Sequence, residues 1–165
     1  MDVVLLNENG NLFLSPDIDD WATIEALNIS VIVDLDGGLD IGIPTVPNHL
    51  LYLYFPMYDE DLPDLSKLHA VARLGATLIE QGHKVLCHCL MGFNRSALVA
   101  GLMLVYLGMS GEEVVTHLQS RRAGALYNET FAKYLQALPA MHRADAFVMQ
   151  PDNASEPMSS KQEDH

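Results

Sequence analysis

Short apolar runs separated by turn-forming residues predict a series of strands in the first 143 positions. Residues 3–6 and 11–15 flank Asn9-Gly10, a dipeptide typical of a tight hairpin turn. Three further continuous apolar runs have the length of strands that are buried on both faces, at residues 31–35, 51–55 and 84–88.

Helical periodicity fills the intervals between these strands. Apolar side chains recur along one face of residues 16–27, for which Asp17 or Asp19 is the expected N-cap. Two further stretches with the period of a helix cover residues 65–81 and 96–107. Strands that alternate with helices predict an α/β fold, here a single domain in which helices flank a central and mostly parallel sheet.

Cap residues mark two more helices. Gly108 ends the preceding helix, and Ser110 with Glu113 three residues later forms the capping box of the next one. Asn128 is the expected N-cap of a last helix that extends to Leu138.

Composition bounds the domain and its compartment. With 165 residues, 49% of them hydrophobic, the chain can bury one proper core. We expect one domain over residues 1–143 and a flexible acidic tail over 144–165, where the composition shifts to Pro, Ser, Gln, Asp, Glu and Asn. No apolar run reaches membrane-spanning length, and the start lacks the positive flank of a signal peptide. The two cysteines lie too close together for a disulfide framework, so we expect a cytoplasmic protein.

The chain is strongly acidic. Twenty-two Asp and Glu residues against nine Lys and Arg residues give a net charge of −13. Such a field repels polyanions at long range, so nucleic acid and anionic membrane surfaces are disfavoured partners. The sequence gives no oligomeric state.

Residues 88–96, His-Cys-Leu-Met-Gly-Phe-Asn-Arg-Ser, are the most informative stretch. Cys89 and Arg95 enclose five residues between a predicted strand and a predicted helix. This arrangement aims backbone N–H groups and a helix N-terminus at one point, which captures a tetrahedral oxyanion such as phosphate. The helix end and the guanidinium favour a thiolate nucleophile, and the guanidinium can clamp two oxygens. The residues expected to bind the phosphate ester are Leu90, Met91, Gly92, Phe93, Asn94 and Arg95.

The motif resembles that of the cysteine-dependent protein tyrosine phosphatases, and the dual-specificity branch in particular. The family signature is His-Cys, five residues, Arg, then Ser or Thr, and residues 88–96 match it within a resemblance that covers about 12–138. The resemblance implies that Cys89 is the nucleophile and Arg95 the phosphate clamp. It implies that Ser96 steadies the departing thiolate, and that His88 holds the loop by hydrogen bonds.

The leaving oxygen needs a proton, so a general acid is expected on another loop. The predicted strand 51–55 is followed by an acidic loop. The family carries its acid on a loop after the corresponding strand, and Asp59 falls at that place. Asp61 is the alternative acid, whereas Asp64 is expected to begin the following helix.

Other polar residues receive a structural interpretation. Asp34, Asp36 and Asp40 could suggest a divalent metal, but Gly37-Gly38 between them indicates a turn, and a thiolate mechanism requires no metal or other cofactor. Arg121-Arg122 are expected to compensate a helix dipole.

Cys87 and the arginine near position 122 also receive no catalytic role. Cys87 is expected to be a small buried hydrophobe. An arginine near position 122 packs beside the active-site loops in the resembling family and is followed by proline, but Ala123 stands here, so that role is not carried over.

The expected activity is hydrolysis of phosphotyrosine in proteins through a phosphocysteine, with phosphoserine and phosphothreonine left open. The alternatives on the same scaffold are an RNA 5′-triphosphatase, which the stretch 92–95 resembles, a phosphoinositide phosphatase, and a non-catalytic phosphate-binding module. The RNA enzymes typically lack the acid and need a basic groove, which this acidic chain hardly provides. Apolar Leu90, Met91 and Phe93, where a phosphoinositide enzyme would favour lysines, disfavour the second alternative.

Overall fold

The structure is a computed structural model and describes residues 1–141. Its strands are β1 (Val4–Leu5), β2 (Leu12–Ser15), β3 (Val31–Asp34), β4 (Leu51–Tyr54) and β5 (Val85–His88). They form one sheet in the order β1-β2-β5-β3-β4. β1 pairs antiparallel with β2, and the other neighbouring pairs are parallel. The predicted α/β class with a mostly parallel sheet is therefore confirmed.

Helices cover both faces of this sheet. They are α1 (Trp21–Ala26), α2 (Leu65–Glu80), α3 (Arg95–Tyr106), α4 (Gly111–Arg121) and α5 (Glu129–Gln136). α3 packs on β2 and β5 and is surrounded by α2, α4 and α5. Every residue of α3 after its first is buried, which explains its nearly continuous apolar sequence. The opposite face of the sheet carries a smaller core that includes Ile24 of α1.

The middle strand, β5, confirms the strand predicted at residues 84–88. All four of its residues are buried. Val85 and Cys87 join the core on the α3 side, while Leu86 joins the core on the α1 side. A strand buried on both faces has apolar side chains on both, as Val85, Leu86 and Cys87 show before His88 ends the strand. The Cys87 thiol lies 4.0 Å from the sulfur of Met103, so the expected structural role is found.

The predicted helix 16–27 is wrong at its N-terminal end. Asp20, and not Asp17 or Asp19, is the N-cap of α1, because its carboxylate accepts hydrogen bonds from Ala22 N and Thr23 Oγ1. The residues before it leave the helix, and the Asp17 N–H reaches Leu90 O over 3.4 Å. Asp20 is adjacent to Asp19 in sequence, and its side chain makes the hydrogen bond that defines the helix start.

The other predicted caps are confirmed. Ser110 and Glu113 form the capping box of α4. Asn128 accepts from Thr130 N and Phe131 N at the start of α5. Asp64 caps α2, as expected for a helix-start residue.

Two predictions concern residues beyond the described ones. The boundary at 143 and the tail 144–165 fall outside them and stay predictions. Within residues 1–141, no helix has the length and apolar character that crossing a bilayer requires.

Candidate active site

Residues 89–95, which we call the phosphate loop, join the end of β5 to the start of α3. Because the loop follows the end of β5, which is parallel to both of its neighbours, it lies at the carboxyl edge of the sheet, where α/β folds place ligands. Gly92 has φ +67°, and a Cβ built on it would lie 2.6 Å from the backbone of Ser15 and Pro16. Only glycine fits this close approach, so the loop packs directly on the end of β2.

Cys89 stands at the base of the loop, beside a hydroxyl group. Its side chain is buried, and its Sγ lies 3.2 Å from Ser96 Oγ. Ser96 is the second residue of α3 and is itself fully buried. The structure therefore brings the predicted nucleophile within hydrogen-bond distance of a hydroxyl that can donate to a thiolate.

The N-terminus of α3 is directed at the same loop. Asn94 occupies the N-cap position, but its side chain makes no capping hydrogen bond. The first-turn N–H groups of the twelve-residue helix thus have no side-chain cap. The positive end of the helix dipole favours negative charge here, either on a bound oxyanion or on the sulfur.

Hydrogen bonds from one terminal nitrogen of its guanidinium hold the Arg95 side chain in place. Nη1 donates to Asp36 Oδ1 at 3.0 Å and to the carbonyl oxygens of Leu35 and Met57 at 3.3 Å. Its Nε is buried and has no hydrogen-bond partner among the described residues. Buried donors in native proteins are nearly always paired, so this N–H is available to an acceptor outside the protein. An oxyanion in the loop would supply one.

The structure brings Asp59 to the rim of the phosphate loop. Its Oδ2 accepts from Asn94 Nδ2 at 2.9 Å, and its Oδ1 accepts from Asn128 Nδ2 at 3.1 Å. Asp61 makes no hydrogen bond to the phosphate loop within residues 1–141, and it lines a separate hollow with Lys67. The geometry favours Asp59 over Asp61 as the neighbour of a bound ester. Sequence reasoning missed both asparagines as contacts of Asp59.

Cys89, Arg95 and Ser96 come from one short stretch of the chain, and the fold brings Asp59, from the loop after β4, to the same place. A family model for the dual specificity phosphatase catalytic domain matches residues 12–139. The chain belongs to this family. It therefore carries a dual-specificity phosphatase catalytic domain, as the motif of residues 88–96 had indicated.

Individual relatives are more distant. Cyclin-dependent kinase inhibitor 3 of Rattus norvegicus is 28% identical over 109 residues, which are 64% of this chain and 50% of the relative. The chain thus spans about half the length of that curated relative. Human DUSP28 superposes with a TM-score of 0.68 at 22% identity and covers 81% of this chain and 90% of its own.

A second human structure has a similar likeness. The human tyrosine phosphatase-like serine/threonine/tyrosine-interacting protein gives a TM-score of 0.66 at 18% identity, covering 90% of this chain and 98% of its own. At these identities the structural likenesses show the fold.

The phosphate loop of this dual-specificity phosphatase domain has an apolar outer rim. Leu90 and Met91 are 52% and 57% exposed. Phe93 lies beneath the guanidinium of Arg122, whose carbon is 4.4 Å from the ring centroid, and Arg122 Nη2 donates to Met91 O at 3.2 Å. The side chain of Arg122 is 9% exposed and also pairs with Asp2.

The expectation that Arg122 compensates a helix dipole is therefore wrong. Arg121 occupies the last turn of α4, whereas Arg122 follows the helix and braces the phosphate loop. The family arginine near this position was the signal that could have found it, even though Ala123 replaces the proline.

A buried polar cluster lies behind the loop, where His88 was expected to make hydrogen bonds to it. Instead, Nε2 of His88 lies 2.9 Å from Asp40 Oδ2, and within residues 1–141 neither ring nitrogen has a hydrogen-bond partner with good geometry. The Tyr52 hydroxyl lies 2.5 Å from Asp34 Oδ2 and 2.8 Å from Asp40 Oδ2. Burial raises the pKa of Asp34. The cluster thus ties the loop after β3 to the base of the site.

Among the described residues, Asp34, Asp40 and His88 form a group whose donor atoms lie close enough together to bind a metal ion. One donor atom each from Asp34, Asp40 and His88 lies within 4.8 Å of the others. The phenol of Tyr52 already contacts both carboxylates and fills the gap between them. The arrangement is therefore that of a hydrogen-bonded network, and the expectation of metal-independent chemistry stays a prediction.

Proposed function

We propose that the chain hydrolyses phosphate monoesters in proteins, phosphotyrosine foremost, through a phosphocysteine intermediate. Cys89 is the nucleophile, Arg95 the phosphate clamp and Asp59 the general acid. The single observation that carries the proposal is the buried, unpartnered Nε of Arg95 at a loop whose base holds the Cys89–Ser96 pair. A donor left unpaired in a folded protein is costly unless a ligand completes it.

In the first step the Cys89 thiolate attacks phosphorus. A sulfur–phosphorus bond forms as the bond from phosphorus to the ester oxygen breaks. Arg95 and the N–H groups at the start of α3 bind the nonbridging oxygens, where negative charge is carried through the transition state. Asp59, as the carboxylic acid, gives its proton to the departing oxygen.

In the second step water attacks the phosphocysteine. The Asp59 carboxylate takes the proton of the attacking water, and the sulfur–phosphorus bond breaks to release inorganic phosphate. Ser96 donates a hydrogen bond to the sulfur as it regains its negative charge, since the two atoms are 3.2 Å apart. The step regenerates the thiolate and the protonated acid for the next substrate.

Apolar side chains around the site support a phosphoprotein substrate. Exposed Leu90 and Met91 belong to the loop, Tyr58 adjoins the acid, and Tyr127 lies 6.2 Å from Phe93 between ring centroids. Such surfaces suit a phenyl ring and the peptide beside it. The net charge of −13 disfavours an RNA chain, and an acid next to the loop suits esters with poor leaving groups.

A substrate panel tests the proposal. The assay compares a phosphotyrosine peptide, a phosphothreonine peptide, a phosphoinositide and a 5′-triphosphorylated RNA, each with wild type and with Cys89→Ser. We expect the phosphotyrosine peptide to give the highest kcat/KM and the Cys89→Ser protein to release no phosphate above background. A clear preference for the RNA or the phosphoinositide would replace the substrate class. Equal turnover by wild type and Cys89→Ser would contradict the phosphocysteine mechanism.

A further inference from the structure

The side chain of Asn94 is not turned into the phosphate loop to which it belongs. It is 1% exposed, and both ends of its amide have partners. Its Oδ1 accepts the backbone N–H of Asn128 at 3.0 Å, while its Nδ2 donates to Asp59 at 2.9 Å. Because only the oxygen can accept from an N–H, the bond to Asn128 fixes which end of the amide faces Asp59.

Asn128 is oriented in the same way from the other side. Its Oδ1 accepts from Thr130 N and Phe131 N as the N-cap of α5. Its Nδ2 is therefore directed outward, where it donates to Asp59 Oδ1 at 3.1 Å and to Glu60 O at 3.2 Å. Helix capping thus leaves one amide group free to hold the loop that carries the acid.

We propose that Asn94 and Asn128 form an amide clamp that positions the carboxyl group of Asp59 over the phosphate loop for proton transfer. The inference rests on the proposed function, because it concerns the acid of that reaction. Both are positioning residues, since they act through Asp59 and are not proposed to touch the reacting atoms.

The amide clamp restricts the side-chain rotamers of Asp59, which its exposure to water would otherwise leave free. Asp59 is exposed, and a loop side chain that meets water has several rotamers of similar energy. One donor for each carboxyl oxygen selects a single orientation, and the donors come from two elements that the core already fixes, the start of α3 and the start of α5. A misplacement of about 1 Å can cost on the order of 100-fold in rate, so the clamp should be visible in catalysis.

Two substitutions remove a hydrogen bond to Asp59 while they keep the other structural role of the substituted side chain. Asn128→Ser keeps a side chain that caps α5 but removes the amide that donates to Asp59. Asn94→Asp keeps an oxygen for the Asn128 N–H but places an oxygen where the donor to Asp59 stood. Asn9→Ser, an exposed residue of the turn between β1 and β2, is the matched control.

The readout is the dependence of rate on the leaving group. Phenyl phosphate has a poor leaving group and p-nitrophenyl phosphate an activated one. We expect Asn128→Ser and Asn94→Asp to lower kcat on phenyl phosphate by roughly 10- to 100-fold, and kcat on p-nitrophenyl phosphate by much less. In an Asp59→Ala background, Asn128→Ser should have no further effect on phenyl phosphate, whereas Asn9→Ser changes neither rate in any background.

The possible results separate this inference from the proposed function. If Asp59→Ala loses phenyl phosphate turnover while Asn128→Ser keeps it, the clamp is overturned and the phosphatase mechanism stands. Equal losses on both esters, or losses that add to those of Asp59→Ala, overturn the clamp as well. If Cys89→Ser hydrolyses both esters as well as wild type, the proposed function fails and the clamp fails with it. Thermal unfolding of Asn128→Ser close to that of wild type shows that capping survives.

Discussion

The guanidinium of Arg95 and the carboxylate of Asp36 meet at 3.0 Å, through Nη1 and Oδ1. Asp36 follows β3, whereas Arg95 begins α3, so the pair joins two loops at the carboxyl edge of the sheet. The contact uses one terminal nitrogen of the guanidinium and leaves the buried Nε without a partner among the described residues. The protein thus orients the arginine in advance and leaves part of the fork for an oxyanion.

Arg95→Lys should lower kcat and raise KM together. A lysine is a compact charge without a fork, so it cannot contact Asp36, two carbonyl oxygens and a phosphate at once. Loss of one or two charge-assisted hydrogen bonds predicts a fall in kcat/KM of about 100-fold or more. Steady-state kinetics with a phosphotyrosine peptide measure it, with Arg73→Lys on α2 as the control. A change of less than threefold would contradict the role of Arg95.

Asp36→Asn should have a smaller effect of the same kind. The amide keeps the shape of the side chain but replaces a charged acceptor with a neutral one, so Arg95 loses its fixed orientation. We expect a fall in kcat/KM of roughly threefold to tenfold. Glu129→Gln, which weakens an exposed ion pair with Lys133 on α5, is the matched control in the same assay. If both variants have the same kcat/KM, Asp36 does not orient the Arg95 guanidinium.

Asp59→Asn and Asp61→Asn should differ in their dependence on the leaving group. Asp59 lies against the phosphate loop and Asp61 does not, so only the first should supply the proton. Asp59→Asn is expected to lose on the order of 100- to 10,000-fold on a phosphotyrosine peptide and far less on an activated aryl phosphate. Asp61→Asn should keep both rates. The reverse pattern would assign the acid to Asp61.

Where one local pattern determines the outcome, sequence reasoning was sufficient. β5 before His88 and α3 after Ser96 are apolar because packed elements surround them, and Ser110 with Glu113 forms a self-contained cap. The order of elements around Cys89 and Arg95 follows from that pattern, because a strand, a short loop and a helix come in sequence.

Contacts between distant segments could not be predicted in the same way. Arg122 rests on Phe93, and Asn94 reaches Asp59, 35 positions earlier. Ahead of α1, the N–H of Asp17 reaches Leu90 O, far along the chain. In each case several polar residues were locally equivalent, and a tertiary contact selects among them.

A pH-dependent effect on stability is expected where α2 packs against α3 and α5. His69 on α2 lies between the hydroxyl groups of Tyr106 and Tyr134, and burial, followed by the charge of Arg73, lowers its pKa below 6.5. Below about pH 6.5 the unfolded chain therefore binds a proton that the folded protein still excludes. This difference lowers the free energy of unfolding as the pH falls, until His69 also titrates in the folded state.

Urea unfolding from pH 8 to pH 5 measures this contribution. His69→Gln has no titrating ring, so it should lose less stability than wild type on acidification, whatever its stability at pH 8. His83→Gln, an exposed histidine, is the control and should follow the wild-type slope. Parallel curves for wild type and His69→Gln would contradict the assigned cause.

Trapping of a phosphoryl group on Cys89 is the most direct test of the account. Wild type and Ser96→Ala are mixed with a phosphotyrosine peptide, quenched within milliseconds and analysed by peptide mass spectrometry. We predict one added phosphoryl group on Cys89, accumulating more in Ser96→Ala because the departing thiolate has lost its hydroxyl donor. Cys87→Ala should retain the adduct, since that thiol is buried against Met103. Phosphate release with no adduct on Cys89 in any variant, together with an active Cys89→Ser protein, would contradict the mechanism.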